Sequence, residues 1–460
     1  MTVTENLASR LADVIGSHAV VSAPEELAAH TIDGTTPQAI ACPGSAEQAA
    51  EILRFAAAEK LAVQAFGSRS KCEMGMPVMR CDIAIDMTHL REVAHYDAGD
   101  LTLSVDAGMP LRELAEFLSE HGQFLPLAVP CFESTTAGGA IASGIDSALR
   151  QQYGAARDFL IGAEFVDGTG QRCKSGGRVV KNVTGYDLHK LLIGSLGTLG
   201  VITRLNFRTF PLPAASGACV VIFANAQRAQ AFRAATDAQG LPLADLEILD
   251  PGSADILRAI LGRTDSQVTR RLSPGAWCVY CSYEGNEQVV ARIAAELKQA
   301  ASNAGALECS SLDNTGGEEL GGMLREAYEW LRWASPAVLL QRIALPKLWP
   351  PALASLQQLA IDAALKSALL VRTGGVLYFA LFAEAEDDTA LATLTTVALK
   401  VNQFVRANHG NSTILHAPLR VKHRVAAERA ALADGSLQLR LKQAFDPANI
   451  FAPGRVVGGV

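Results

Sequence analysis

The 460-residue sequence lacks any uninterrupted apolar run that approaches the roughly 18 residues of a membrane-spanning helix. Residues 1–23 also lack the basic start and apolar stretch of a secretory leader. Basic clusters suited to nucleic acid are missing as well, and the net charge is -7. We therefore expect a cytoplasmic protein with no transmembrane segment and no nucleic-acid partner.

Cysteine is sparse and irregularly placed. Nine cysteines are an odd number scattered over a long chain, which argues against a disulfide framework and favours reduced thiols. Cys278 and Cys281 form one close pair, but it stands in the strand-like segment WCVYCSYEG without a second pair or a nearby histidine. The sequence therefore predicts no zinc or iron–sulfur site in this chain.

The composition is that of a globular protein, with 49% hydrophobic and 19% charged residues. The length suggests two or three domains. A capping box at Ser45 and Gln48 predicts a helix, and the later segment LAVQAFG predicts a buried strand. Mixed patterns continue to the FPLP punctuation at 210–213, where we place a domain boundary. Beyond it, helical stretches such as 362–370 are predicted to alternate with strands such as VLYFALF.

Three glycine-bearing loops are the candidates for ligand binding: AFGSRSKCEMGMP at 65–77, PCFESTTAGGAIASG at 130–144, and GGRVVKNVTGYDLHKLLIGSLGTLGVIT at 176–203. Positions without side chains let the backbone approach a ligand, and successive N–H groups can surround a pyrophosphate. The glycine spacing in SLGTLG differs from the dinucleotide motif G-x-G-x-x-G, and GTGQRCKS lacks the second glycine of a phosphate loop. Neither a nicotinamide site nor a phosphate loop is predicted.

The order of these segments resembles the FAD-linked oxidases of the vanillyl-alcohol oxidase type, which carry a PCMH-type FAD-binding domain. Six motifs occur in the family's order: AFGSRS, IDMTHLREV with LSVDAG, TTAGGAIASG, YGAARDFLIGAEFVDGTG, KNVTGYDLHKLLIGSLGTLGVIT and FDPANIFAPGR. The resemblance implies an α+β fold in four parts. These are a helical lead-in at 1–42, a two-part FAD-binding domain at 43–213, an α+β cap domain at 214–440, and a segment at 441–460 that returns to the flavin.

The resemblance also assigns residues to the cofactor. The first loop would surround the pyrophosphate, the second would line the other side of the FAD, and the third would offer backbone groups to the adenine. In that order the assigned residues are Phe66, Gly67, Ser68, Arg69 and Ser70; Thr135, Thr136, Ala137, Gly138, Gly139, Ser143 and Gly144; and Val201 and Ile202.

Two further expectations concern the flavin's surroundings. Some relatives attach the flavin through a histidine in the first loop, where this chain has Ser68, so noncovalent FAD is implied. The segment KNVTGYDL would turn the chain under the cofactor. As an alternative, Lys181, Asn182 and Asp187 would cap turns and Tyr186 would belong to the core.

Oxidation of a 2-hydroxy acid needs a cation for the carboxylate, a base for the hydroxyl proton and a flavin that accepts the hydride. Arg342, in LLQRIALP, is the candidate cation, with an interface role as the alternative. Catalytically complete relatives carry a metal-binding H-x-G-D-G-N-x-H strand and a later G-E-H-G. This chain keeps only the outer histidines, His409 and His416, and residues seven apart face opposite sides of a straight strand. No metal site is predicted.

Within the family, the chain most resembles the hydroxy-acid branch, and its cap resembles that of the flavin-binding E subunit of glycolate oxidase. This implies an FAD-binding subunit that oxidises glycolate or D-lactate to the 2-oxo acid. Its partners would be a second flavoprotein and an iron–sulfur subunit, through which it would lie peripheral to the inner membrane. Two alternatives stay open: a self-sufficient FAD-dependent dehydrogenase for such acids, and a structural subunit that keeps FAD without catalysis.

Overall fold

Two small sheets followed by one large sheet organise the chain. The structure is a computed structural model that describes residues 6–178, 185–264, 266–345, 349–432 and 436–455. The helices of the first half are α1 (Leu7–Ile15), α2 (Pro24–Ala29), α3 (Ala46–Glu59), α4 (Leu111–Ser119), α5 (Ala137–Ser143), α6 (Arg150–Tyr153) and α7 (Ala156–Phe159). Its strands are β1 (Val20–Val21), β2 (Ala39–Ala41), β3 (Val63–Phe66), β4 (Ile83–Asp86), β5 (Val93–Asp97), β6 (Thr102–Asp106), β7 (Gln123–Phe124), β8 (Leu160–Val166), β9 (Arg172–Gly176), β10 (Val201–Arg208) and β11 (Phe210–Pro211).

The first half contains two main sheets. A four-stranded sheet has the order β1-β2-β4-β3, in which β2 and β3 both run parallel to β4. A five-stranded antiparallel sheet has the order β5-β6-β10-β8-β9. The predicted strand LAVQAFG is β3, and the predicted capping box begins α3, where Ser45 Oγ accepts the N–H of Gln48 at 3.1 Å. This mixture of helices and sheets confirms the predicted α+β class.

The second half is built on an eight-stranded antiparallel sheet with the order β15-β12-β14-β13-β17-β18-β16-β19. Its strands are β12 (Ala215–Phe223), β13 (Leu243–Leu249), β14 (Trp277–Gly285), β15 (Glu308–Leu312), β16 (Ala337–Ala344), β17 (Lys366–Arg372), β18 (Val376–Ala383) and β19 (Asn411–His416). Its helices are α8 (Ala226–Gln239), α9 (Pro251–Leu261), α10 (Glu287–Asn303), α11 (Asn314–Arg325), α12 (Ala327–Arg332), α13 (Trp349–Asp362), α14 (Asp388–Ala407), α15 (Leu419–Leu432) and α16 (Ser436–Phe445).

Alternating side chains place the large sheet between two hydrophobic clusters. Along β12, Val220 and Ile222 join the cluster that also contains the core of the first half, whereas Val221 and Phe223 join a cluster under α8, α10 and α14. This is the two-residue period of a strand that is buried on both faces. The large sheet therefore packs one face directly against the first half, next to the loops discussed below.

Two expectations about local structure are wrong. The lead-in at 1–42 is not purely helical, because its apolar segments β1 and β2 pair to extend the four-stranded sheet. The stretch 362–370 is not a helix: α13 ends at Asp362, Ala364 adopts a left-handed φ of 54°, and β17 begins at Lys366. Leu369 and Leu370 are both fully buried in the large sheet. Packing in the sheet therefore favours a strand here over the helix that the sequence pattern predicts.

The other strand predictions agree with the structure. WCVYCSYEG forms β14, and VLYFALF lies within β18. β12 begins two residues beyond the FPLP segment, at Ala215, although the domain boundaries themselves stay predictions. In the ranges the structure describes, no helix combines the length and apolar character needed to cross a bilayer.

Candidate functional site

A cleft of about 800 Å³, counting the part open to solvent, lies where strands of the two small sheets end. Its lining comes mainly from three segments, 64–74, 136–143 and 196–202. Arg455, from the C-terminal part of the chain, also lines it. These segments belong to the three glycine-bearing loops that the sequence singled out, so the fold brings together parts of the chain that are far apart in sequence.

The first wall of the cleft follows β3 and contains all five predicted residues from 66 to 70. Arg69 has a left-handed φ of 63°, and its guanidinium donates to the carbonyl oxygen of Ala29 at 2.8 Å. The Ser68 hydroxyl donates to Ser70 Oγ at 3.2 Å. A Cβ atom on Gly67 would lie 2.2 Å from Thr136 Oγ1 of the second wall. The glycine is therefore needed for the two walls to approach each other.

The second wall is the start of α5, where Thr136 Oγ1 accepts the N–H of Gly139 at 3.1 Å. A Cβ on Gly138 would lie 2.9 Å from the carbonyl oxygen of Ala107, so this glycine allows α5 to pack against the end of β6. A Cβ on Gly139 would meet only Thr136 Oγ1, at 3.0 Å. The remaining side of Gly139 faces open space in the cleft.

The third wall contains Gly197, which has a left-handed φ of 73° and faces Gln64 of β3. Ile202 lines the cleft, whereas Val201 points to the opposite side of β10 and packs in a separate core cluster. Tyr186, from the same glycine-rich stretch, is 89% exposed and is not a core residue. Lys181 and Asn182 lie outside the described residues.

Four predicted cofactor residues lie behind the cleft surface: Thr135, Ala137, Gly144 and Val201. Thr135 and Ala137 are almost completely buried. Gly144 ends α5 with a φ of 60°, and a Cβ there would lie 2.5 Å from Gly194 Cα. These residues support the walls, and the other ten predicted cofactor residues line the cleft.

The cleft has the chemical features of a site for a nucleotide cofactor. Gln64 is buried, and its Oε1 atom accepts no hydrogen bond within the described chain, so a ligand amino group can donate to it. Gly139 leaves one wall open for close approach, and the first loop offers hydroxyl groups. The residues therefore fit FAD. Gln64, the loop at 66–70, Gly139 and Ile202 would contact it.

A buried lysine in this cleft was missed by the sequence reasoning. Lys71 is 8% exposed, and its ammonium group donates to Thr135 Oγ1 and to Ser70 Oγ, the latter at 3.3 Å. Burial lowers the pKa of Lys71 to about 8, opposed by the acidic groups of Cys131 and Glu326. The position of Lys71 in a predicted ligand loop was the available signal, but nothing in the sequence indicates that its side chain is buried.

The large-sheet half contacts the chain just before the second wall of the cleft. Glu326 accepts the backbone N–H groups of Cys131 and Phe132 at 2.5 and 3.3 Å, and Glu329 accepts the Cys131 thiol at 3.0 Å. Burial raises the pKa of Cys131 to about 12, so the thiol stays protonated and can donate this bond. We call this meeting of 131–132 with 326–329 the cap boundary.

The end of the first loop is anchored by two buried cations. Arg455 donates to the carbonyl oxygen of Met74 at 2.6 Å, and Lys422 donates to that of Glu73 at 2.6 Å. Both cations also approach Asp33, at 3.4 and 2.7 Å respectively. Lead-in, large-sheet half and C-terminal segment therefore all fix the loop, through contacts that no local sequence pattern indicates.

The side chain of Glu73 connects the loop to the large sheet. His416 Nδ1 lies 3.2 Å from its carboxylate, and the guanidinium of Arg332 lies 4.0 Å away. The hydrogen bond with His416 lowers the pKa of Glu73. His409 precedes β19 and is exposed, whereas His416 ends β19, so the length of a six-residue strand separates the two histidines. In the described part of the chain, no three potential metal ligands cluster.

Arg342 is not on the cleft lining. It lies on β16, its side chain is 18% exposed, and it pairs with Asp146, which also pairs with Arg150. Asp146 follows α5, so the contact joins the large sheet to the first half of the chain. Neighbouring arginines lower the pKa of Asp146 despite its burial. This position matches the interface alternative for Arg342, and its carboxylate-binding role stays a prediction.

Comparison with solved structures identifies the fold. The substrate-bound p-cresol methylhydroxylase matches with a TM-score of 0.77, covering 98% of this chain and 96% of that one at 15% identity. The 4-ethylphenol oxidase from Gulosibacter chungangensis, in complex with isoeugenol, matches with a TM-score of 0.76, covering 97% and 96% at 15% identity. At such identities the likeness concerns the fold alone.

Curated relatives match mainly over part of the chain. The glycolate oxidase subunit GlcE of Escherichia coli (strain K12) is 36% identical over 36% of this chain and 47% of its own length. D-2-hydroxyglutarate dehydrogenase of Xanthomonas citri is 34% identical over 38% of each chain. The glycolate oxidase subunit GlcD of Bacillus subtilis (strain 168) is 23% identical over 91% of this chain and 89% of its own. The first two matches thus span less than half of the relatives' length.

Family models cover most of the chain. The model for an FAD binding domain matches residues 37–176, and the model for the C-terminal domain of FAD linked oxidases matches 212–456, which is more than half of the sequence. These matches confirm the predicted resemblance, the FAD cofactor and the oxidoreductase class. The chain belongs to the FAD-linked oxidase family.

Proposed function

We propose that this chain is the FAD-binding subunit of a glycolate-oxidase-type 2-hydroxy-acid dehydrogenase that acts on glycolate or D-lactate. The observation that carries the proposal is a cation-rich junction between the first loop of the cleft and the large sheet. Lys71, Arg332 and His416 all lie at this junction. The likeness to the GlcE and GlcD subunits supports the same substrate class.

The chain's residues would divide the work between holding FAD and receiving a carboxylate. When bound, FAD supplies an acceptor for the hydride from the α-carbon of the acid. The cleft walls would position the cofactor and exclude water around it. Arg332, 16% exposed at its side chain, is the cation at the mouth that a substrate carboxylate could reach, and the exposed Trp333 lies beside His416.

The pairing of these cations supports a subunit role. Arg332 donates to Glu329 at 3.0 Å, and His416 is engaged by Glu73. A substrate carboxylate would have to displace an acidic side chain, and the sequence lacks the histidine and acidic motifs that bind metal in complete relatives. We therefore expect a poor catalyst in isolation, which passes electrons to a second flavoprotein and an iron–sulfur subunit at the membrane periphery.

The test is an anaerobic rapid-mixing experiment with glycolate, D-lactate and L-lactate, followed by flavin absorbance. The lone chain should bind FAD but be reduced far more slowly than the chain reconstituted with both partner subunits. The complex reconstituted with Gly139→Val, which we expect to lose most of its FAD, is the control that reports whether this flavin is needed. Full reduction of the lone chain at roughly 1 to 10³ per second, the range of competent enzymes, would instead establish a self-sufficient dehydrogenase. A flavin that no acid reduces even in the complex would indicate a structural subunit.

We further propose that FAD is bound without a covalent link. Ser68 occupies the place of the linking histidine and donates its hydroxyl to Ser70, and the described cleft lining contains no histidine or tyrosine. Acid precipitation of the purified protein should leave the yellow cofactor in the supernatant. A yellow pellet after washing would contradict the proposal.

A further inference from the structure

Lys71 differs from the other buried lysines in what it contacts. Lys422 and Lys442 each face a carboxylate, at 2.7 Å from Asp33 and 2.6 Å from Asp446. Lys71 donates to two neutral hydroxyl groups, those of Ser70 and Thr135, and within the described ranges no carboxylate lies within ion-pair distance of it. Burying an ammonium group without a counter-ion within ion-pair distance lowers the stability of the folded chain. An anion that binds beside Lys71 from outside the chain would offset this cost.

The direction of the side chain indicates which part of the cofactor this anion belongs to. The ammonium group binds Thr135, whose hydroxyl also donates to the carbonyl oxygen of Cys131 at 2.8 Å, and Cys131 is held at the cap boundary by Glu326. Lys71 therefore extends toward the large-sheet end of the cleft. In the proposed function the substrate meets the flavin ring at this end, and the adenine would lie toward Gln64 and Gly197, which face each other.

We infer that Lys71 compensates the negative charge that the flavin ring gains on reduction. This inference rests on the FAD site and deepens the proposed function. In the proposed reaction the acid would give up a hydride from its α-carbon and a proton from its hydroxyl group, and FAD, when bound, would accept the hydride and so gain one negative charge. A lysine ammonium beside the ring stabilises the reduced form more than the oxidised form, because only the reduced form carries the added charge.

Several other groups face Lys71 and set its proton affinity. The carboxylates of Glu326 and Glu329 favour the charged amine, Arg332 opposes it, and the protonated thiol of Cys131 is neutral. Reduction adds one more negative charge to this set. The charged amine is therefore expected to persist to a higher pH in the reduced protein, and the reduction potential should depend on pH in the range where the amine of the oxidised protein titrates.

The test compares Lys71→Met with wild type and with Lys174→Met, an exposed lysine that controls for the loss of one positive charge. The measurements are the FAD dissociation constant, the ADP dissociation constant, the two-electron reduction potential, and the affinity for sulfite, which adds to flavin to give an anion. Lys71→Met should bind oxidised FAD and ADP within about threefold of wild type but reduced FAD about tenfold more weakly. That change lowers the potential by about 30 mV. Sulfite affinity should fall in parallel, and Lys174→Met should change none of these quantities.

Two outcomes would overturn the inference. Equal losses of FAD and ADP affinity with an unchanged potential would place Lys71 on the pyrophosphate. If neither the affinities nor the reduction potential changes, Lys71 only holds Thr135 in position through its hydrogen bond. If Lys71→Met does not fold, Lys71→Gln keeps a polar group and is subject to the same criteria. None of these measurements uses a hydroxy acid, so failure of the proposed substrate class would not affect them.

Discussion

At the scale of single residues, Gln64 is the cleft side chain that we expect to contact the adenine of FAD. Its buried Oε1 accepts no hydrogen bond within the described chain. Replacement by leucine, Gln64→Leu, should weaken FAD binding about 5- to 10-fold, the value of one hydrogen bond of about 1 kcal/mol, and leave FMN binding unchanged. Fluorescence titration of the apoprotein with each flavin measures both affinities. Equal losses for FAD and FMN would show that Gln64 does not contact the adenine.

Lys71 also makes stability depend on pH in the protein without cofactor. Folding lowers its pKa from an ordinary value of 10.5 to about 8, so the unfolded chain binds one more proton between these two pH values. This contribution therefore makes stability rise with pH through that range, whereas below pH 8 the full cost of burying the charge is present. In Lys71→Met the cost is absent, and Thr135 still donates to the carbonyl oxygens of Pro130 and Cys131.

We therefore expect apo Lys71→Met to be more stable than apo wild type at pH 7, by at most about 3 kcal/mol. The difference should shrink toward pH 10. Urea unfolding of both proteins at pH 7 and pH 9.5 gives the comparison. A variant that is less stable than wild type at both pH values would show that the lysine is already compensated in the empty protein.

At the scale of elements, helix α5 forms a wall of the cleft, and its first turn carries no side chain on the cleft face, so we expect the cofactor to lie against it. Gly139→Val should place a branched side chain where the cofactor lies, and FAD occupancy of the purified protein should fall by at least about tenfold. The φ of Gly139 is not left-handed, so backbone strain is not part of this effect. Gly322→Val is the matched control, because Gly322 is also helical and a Cβ there meets only Arg325, at 3.8 Å. Full FAD content in Gly139→Val would exclude α5 as a cofactor wall.

The elements also show how far the sequence predicts the site. The glycine-bearing pattern indicated which loops form the cleft, and the family resemblance assigned to the cofactor the residues at 66–70, Thr136, Gly138 and Gly139, which line it. Ala137 and Val201 lie behind the surface because helix and strand periodicity turns neighbouring residues to different sides, and a loop-level assignment does not resolve this. The anchoring of Met74 by Arg455 joins positions hundreds of residues apart and has no local signal.

At the scale of the whole molecule, the pair between Arg342 and Asp146 joins the large sheet to the first half of the chain. Removing one member of a buried pair typically costs about 3 to 5 kcal/mol, but here Asp146 keeps Arg150 as a second partner. Arg342→Met should therefore lower the free energy of unfolding by about 2 to 3 kcal/mol, with FAD affinity and the KM for the hydroxy acid in the complex unchanged. Urea unfolding and steady-state kinetics check the two parts.

The double variant Arg342→Met with Asp146→Leu tests this account, because it also removes the carboxylate that has lost one of its two partners and should recover part of the lost stability. A folded Arg342→Met protein whose KM rises more than about tenfold would instead restore the carboxylate-binding role that the sequence suggested for Arg342.

The convergence of Lys422 and Arg455 on Asp33 has a consequence for how the protein is made. Translation at about 5 to 20 residues per second separates the synthesis of Asp33 from that of Arg455 by roughly 20 to 80 seconds. Until Lys422 is made, the first loop has its glycines but neither of the cations that hold its carbonyl groups, and Arg455 follows later still. A nascent chain therefore cannot complete the cleft by folding its first half alone, and FAD becomes a ligand of the finished polypeptide rather than a template for the growing one.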